Sequence, residues 1–236
     1  MVGLKFYNKS HKYKVGKVEL CSVTRFVGGL FKPFDAKKVA RFLAGLPFNK
    51  RAKRGVRYWL ADWKRSADHG TKVHEEIERF INGEIFSSEE PQAEKGIKVV
   101  KEYKEQGFKL YSEYRTHDLE TKLAGTIDLL VIKPDGKASL VDWKTNKKMT
   151  TKAYDKDDKG LVPLVSHLDN CKTNLYALQL LVYSYLIEKE LGVIVDELRV
   201  VHLRPDGKTD NYYFPIDKNL RDKIISYRVS SLEEDS

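Results

Sequence analysis

Asp128, Asp142 and Lys144 are the residues whose types and spacing could do chemistry. They lie in the stretch Leu123 to Thr145, LAGTIDLLVIKPDGKASLVDWKT. Its first half alternates as a strand, Pro134-Asp135-Gly136 signals a turn, and Lys137 to Lys144 reads as a second strand. With a short loop and Gly136 in the left-handed position, Lys133 pairs with Lys137 and Asp128 falls opposite Asp142. Side chains repeat every two residues along a strand, so Lys144 shares the face of Asp142 while Val141 and Trp143 point away. Cross-strand β-carbons sit roughly 5 Å apart, and carboxylates so placed repel unless positive charge lies between them. A hard divalent cation such as Mg²⁺ takes oxygen ligands, commonly one or two carboxylates with water and substrate phosphate. Lys144 would then position or polarise a water. The same residues also fit a solvated hairpin with an ordinary ion pair, so residues elsewhere must decide.

Three sets of residues elsewhere could converge on that hairpin. Gly70-Thr71-Lys72-Val73-His74 opens or continues a helix whose apolar stripe is Val73, Ile77, Phe80 and Ile81, with His74 at its border. A histidine there is ordinarily a satisfied boundary residue, yet imidazole is also a metal ligand, and Gly70 leaves room one turn before it. Phe108 to His117 alternates as a strand. If the turn after it has even length, Glu113 shares the face of Thr126 and Asp128 and becomes a candidate metal ligand or supporting carboxylate; a solvent-facing glutamate is the alternative. A helix capped at Thr173 or Asn174 and closed by Gly192 is apolar nearly all round, so it should be buried. Gln179 and Tyr183 stand on one face of it and need polar partners there.

The remaining elements form the scaffold. Lys5 to Leu20 suggests a hairpin around Gly16, Ser22 caps a short helix, and Asp35 caps another with Val39, Phe42, Leu43 and Leu46 on one face. Asn49 to Arg57 crowds basic residues before Tyr58, Trp59 and Trp63, which read either as core or as a surface on which single-strand bases stack. Gln92 to Gln106 is a helix, and Leu198 to Leu203 with Asn211 to Phe214 forms a second hairpin around Arg204-Pro205-Asp206-Gly207. Lys218 to Tyr227 reads as a last helix and residues 230–236 as a disordered tail. The segment between Thr145 and the buried helix has no clear period and suits a lid or a mobile loop. Asp155, Asp157 and Asp158 within it lack calcium-loop spacing and read as solvated.

Composition sets the outer bounds. A hydrophobic fraction of 41% over 236 residues supports one globular domain with one substantial core. The formal charge of +9 and pI near 9.3 suit an anionic partner, nucleic acid first. Cys21 and Cys171 are too few for a disulfide framework or an all-cysteine metal site. No apolar run reaches the length of a membrane span and no signal peptide is evident, so a soluble, cytoplasmic protein without a membrane partner is expected.

Taken together, Gly70-x-x-x-His74, the Asp128 strand, Asp142-Trp143-Lys144 and Gln179-x-x-x-Tyr183 occur in order and resemble the RecB-like exonuclease branch of the PD-(D/E)xK nuclease superfamily, of phage and archaeal-virus type. The resemblance runs from about Gly70 to Leu191. It implies an α/β, restriction-endonuclease-like fold: a mixed central sheet of about five strands flanked by helices, with an N-terminal helical addition. The domain would divide into residues 1–66 of hairpin and helices, a nuclease core at 67–229, and the tail. The resemblance also implies that His74, Asp128, Asp142 and the carbonyl of Trp143 hold one or two Mg²⁺ or Mn²⁺ ions. Lys144 would orient or activate the attacking water, Gln179 would help hold the lysine or a substrate phosphate, and Tyr183 would support its helix or contact the strand. The implied activity is hydrolysis of DNA, as an exonuclease favouring single strands or free ends in replication, recombination or repair. Alternatives are a flap or branched-DNA endonuclease and a non-catalytic nucleic-acid-binding protein. The iron–sulfur cysteines of some members are absent, so no such cluster is expected. No helicase motif occurs either, so a helicase or recombination partner would be a separate chain.

Overall fold

The computed structural model describes residues 3–7, 10, 12–46 and 54–234. Its centre is the hairpin of β5 (Leu123–Ile132) and β6 (Ala138–Lys144), with Gly136 at a φ of 83°. The Lys133 N–H donates to the Lys137 carbonyl at 2.9 Å, and the ladder runs from Ile132 opposite Ala138 to Leu129 opposite Val141. One step further along that register stand Asp128 and Asp142, where ladder pairing has stopped. The turn chemistry therefore sets the register, and the two carboxylates lie where the strands part.

Strand β4 (Lys109–Asp118) pairs antiparallel along the other edge of β5, from Lys109 opposite Ile132 to Asp118 opposite Leu123. The turn between them has even length, so the register sets Glu113 against Asp128. Helix α5 (Lys172–Leu191) carries the chain over to β7 (Val195–Leu203), which lies parallel to β6, and β8 (Thr209–Phe214) pairs antiparallel with β7. Parallel neighbours need such a crossover.

These strands, β4 to β8, are the sheet of about five expected, but the sheet is larger. Strands β1 (Leu4–Tyr7), β2 (Lys12–Val15) and β3 (Val18–Ser22) form an antiparallel meander, and β3 lies parallel to β5 with Cys21 opposite Leu123, giving eight strands. One edge of β5 thus meets β3 at Leu123 and Ala124 and meets β6 only from Leu129 onward.

Helices cover both faces. Ser22 caps α1 (Val23–Gly29) by accepting from the Arg25 N–H, and Asp35 caps α2 (Ala36–Gly45) by accepting from that of Lys38. Val23, Phe26 and Val27 of α1 join Leu140, Leu186 and Ile224 in one core, beneath α5 and α6 (Lys218–Glu234). Beneath α3 (Val56–Ile81) and α4 (Pro91–Glu105), the other core holds Val73, Ile77, Val100, Val141 and Trp143. The described part of residues 1–66 is built into the rest: α1 shares the main core and α3 runs from Val56 to Ile81, across residue 67.

Several other expectations are corrected. Residues 230–234 continue α6, whose Ile224 and Ile225 anchor it, rather than forming the expected tail; the rest of that tail lies outside the described residues. Cys171 caps α5, while the Thr173 hydroxyl donates to the Thr150 carbonyl. Phe42 of α2 is 55% exposed, so the predicted stripe is only partly covered. Of the basic run, residues 49–53 lie outside the described residues. The segment after β6 has little regular structure, a single 3-10 turn at Pro163–Val165, but it is tied down by a bridge from Gly160 to Phe31 and by buried Val165. No helix among the described residues is long and apolar enough to cross a membrane.

Candidate active site

The site forms where β5 and β6 diverge. Along β5 the alternation of faces breaks at Asp128: Ile127 packs in the α5 core and Leu129, two residues on, in the α3 core. Opposite the break Glu113 has a φ of 47°, a conformation that L side chains rarely adopt. An unpaired, kinked position on each strand turns both carboxylates toward the same point. From α3 the His74 ring arrives between them. One ligand atom from each of His74, Glu113 and Asp128 falls within 4.8 Å of the others.

Their hydrogen bonds fix how each group is presented. His74 Nε2 lies 3.0 Å from the Trp143 carbonyl, which can only accept, so Nε2 carries the proton. Nδ1 lies 3.5 Å from Asp128 Oδ2, and in a neutral ring so protonated at Nε2 it offers its lone pair there. The Trp143 N–H donates to the same Asp128 oxygen at 2.9 Å. The Trp143 backbone therefore orients two potential ligands at once. Its carbonyl, implied by the resemblance as a ligand, stands 3.0 Å from the imidazole Nε2 at the edge of the same cluster.

Asp142 and Lys144 share the β6 face turned to α5, as the period of two requires. Lys144 Nζ lies 2.6 Å from Asp142 Oδ2, and the Gln179 amide reaches Asp142 Oδ1 at 3.5 Å. Asp142, 6% exposed at its side chain, thus pairs with lysine, while His74 and Asp128 lie near enough to act on its charge. Tyr176, which sequence reading passed over, completes the arrangement with its ring centroid 4.5 Å from Lys144 Nζ. Its position three residues before Gln179 on the same helical face was the available signal. Tyr183 lies one turn beyond Gln179, and its ring presses against Gly125 so closely that any β-carbon there would overlap it. Gly70 admits a different neighbour from the one expected: Thr145 Oγ1, rather than open space over the imidazole, lies 3.0 Å from where its β-carbon would stand.

The electrostatics of this cluster favour a cation. Burial, and then the Asp128 and Glu78 carboxylates, push the Glu113 carboxyl up to about 8. Burial also raises Asp142, with the Lys144 ammonium pulling the other way. Burial works against the charge on Lys144, but Asp142 and Asp128 more than offset it and hold the group well above the usual lysine range. Lys144 is therefore an ammonium, suited to orienting water or phosphate and not to removing a proton. An imidazole nitrogen beside two carboxylates, one of them raised by burial and then by its neighbours' charge, is a donor set that fits a divalent metal ion.

Residues 35–228 match the model of the PD-(D/E)XK nuclease superfamily, and the chain belongs to it. The protein is a nuclease, a hydrolase of phosphodiester bonds, in a family that typically uses divalent metal ions. Among solved structures it is similar to a candidate exonuclease of Eubacterium rectale, with 13% identity, 90% of this chain and 78% of that one covered, and a TM-score of 0.44. It is also similar to SSO0001, with 14% identity, 68% and 84% covered, and a TM-score of 0.30. No curated protein matches it.

Proposed function

We propose that the protein is a Mg²⁺- or Mn²⁺-dependent deoxyribonuclease that digests DNA from ends or along single strands. The observation that carries the metal requirement is the convergence of His74, Glu113 and Asp128 within 4.8 Å, beside the Lys144–Asp142 pair. A divalent cation there supplies positive charge for the phosphate and lowers the pKa of a water. His74 Nδ1, Asp128 and Glu113 would hold it, with Asp142, paired to the Lys144 ammonium, beside them as a further candidate ligand. Lys144 donates hydrogen bonds to the attacking water or a non-bridging phosphate oxygen, offsetting charge that grows on the phosphate during attack. Gln179 and Tyr176 keep the lysine side chain aligned. Water's oxygen bonds to phosphorus as its proton passes to solvent, the bond to the leaving oxygen breaks, and that oxygen takes up a proton from solvent to leave as a hydroxyl.

The basic surface and the single-strand-compatible aromatics support DNA ends or single strands as substrate. The test is digestion of end-labelled single-stranded, duplex, flapped and circular DNA with each metal. Linear single strands should shorten while circles survive. Asp128→Ala and Lys144→Ala should each lose at least about a hundredfold in cleavage with DNA binding retained. Cleavage of circles would make the enzyme an endonuclease, and no wild-type cleavage with either metal would overturn the reading.

A further inference from the structure

One stripe of α3 lies beside the end of β6 and beyond the metal-ligand cluster. Tyr58, Asp62, Ser66 and His69 follow one another at helical spacing on it. At its lower end a cavity of about 200 Å³ opens between Ser66 and His69 on α3 and Thr145, Asn146 and Lys147, which continue the chain from Lys144. The cavity therefore begins one residue past the candidate catalytic lysine.

The groups around it suit a nucleotide chain. The Gln92 amide donates to the Leu203 carbonyl, which turns its oxygen to His69 Nε2, while His69 Nδ1 lies 3.2 Å from a Glu90 carboxylate oxygen. Both ring nitrogens thus face acceptors, and the ring is held with its plane fixed. Asp62 draws in cations instead of repelling an anion: Lys147 Nζ lies 3.1 Å and Arg65 Nη2 3.2 Å from it. At the upper end Tyr58, partly exposed, has the Arg54 guanidinium 4.3 Å and that of Arg65 5.9 Å from its ring centre. An aromatic ring flanked by guanidiniums is a stacking platform with phosphate-binding charge beside it.

We propose that this stripe, from the cavity at His69 and Lys147 up to Tyr58, is the docking track for a single strand of DNA leaving the active site. The inference rests on the nuclease reading and names where the uncut arm lies. Tyr58 and His74 are separated by about 24 Å of helix at ~1.5 Å per residue. That length takes on the order of 7 nucleotides at the ~3.4 Å rise of stacked bases.

The test is fluorescence anisotropy of a fluorescein-labelled 12-nucleotide single strand, without metal, so that binding is read apart from cleavage. Tyr58→Ala should weaken binding at least about fivefold, as loss of one stacking contact does, and Tyr58→Phe should restore it. Lys147→Glu, at an exposed position, should also weaken binding and flatten its salt dependence. A blunt duplex of equal length should be bound equally by wild type and Tyr58→Ala. Unchanged single-strand affinity in both Tyr58→Ala and Lys147→Glu overturns the track. So does an equal loss on duplex. Failure of the nuclease reading would look different: wild type would bind the strand normally and never cut it.

Discussion

The hydroxyl end of the Tyr183 ring on α5 presses against Gly125 on β5, leaving no room for a β-carbon. The contact fixes the helix that carries Gln179 to the strand that carries Asp128, three residues away. Gly125→Ala should therefore destabilise the protein by about 1–3 kcal/mol through overpacking and also lower cleavage. Pairing it with Tyr183→Leu should recover much of the stability. Urea unfolding of the single and double variants checks this, and additive losses would show that the two residues do not press on one another.

The buried Lys144–Asp142 pair separates activity from stability. Lys144→Met strands the Asp142 carboxylate and should cost about 3–5 kcal/mol. The double variant Lys144→Met, Asp142→Leu should unfold at or above the wild-type midpoint and remain inactive. Denaturation and cleavage measured on the same preparations check both halves; a double variant as unstable as the single one would contradict the account.

Metal should stabilise the folded chain through His74, Glu113 and Asp128. At a concentration one hundred times its dissociation constant, Mn²⁺ should add about 2.7 kcal/mol. Glu113→Gln and His74→Ala should each shrink that shift in a thermal melt without DNA. A shift of full size in both variants would place the ion elsewhere.

Alkaline pH should weaken the protein through its buried tyrosines. Burial pushes Tyr103 up to about 12, with the Arg199 guanidinium, bonded to its hydroxyl at 2.6 Å, pulling it down. A phenol whose folded pKa exceeds the unfolded value of ~10 stabilises fully below pH ~10, and that stability is lost as pH rises toward about 12. Each pH unit in that window should cost about 1 kcal/mol for this residue. Tyr103→Phe should reduce the slope of unfolding free energy against pH between 10 and 11, leaving the smaller share of the other buried tyrosines.

Turn and period rules carried the sequence a long way. The Pro-Asp-Gly loop fixed the β5–β6 register, the period of two placed Lys144 with Asp142, and Ser22 and Asp35 marked two helix starts through their side chains. What those rules could not reach depends on distant contacts. The kink at Glu113 leaves no mark in residue type, because glutamate gives no hint of a positive φ. The short parallel pairing of β3 with β5 has no local pattern at all. Residues 230–234 look polar enough for a tail, yet α6, anchored by buried Ile224 and Ile225, runs on through them. Tyr176 was hidden because a tyrosine on an apolar helix reads as core until the lysine opposite is seen.

Strand β5 is gripped from one side at both ends, by Cys21 and Ser22 near its start and by β6 near its finish, and the metal-ligand cluster occupies the interval between the two grips. The amino-terminal meander is thus a splint for the acidic strand. Trimming only the meander, ahead of α1, would free that strand to flex at Asp128 while leaving Val23, Phe26 and Val27 in the core, and the enzyme would fail at its ligands before it failed to fold.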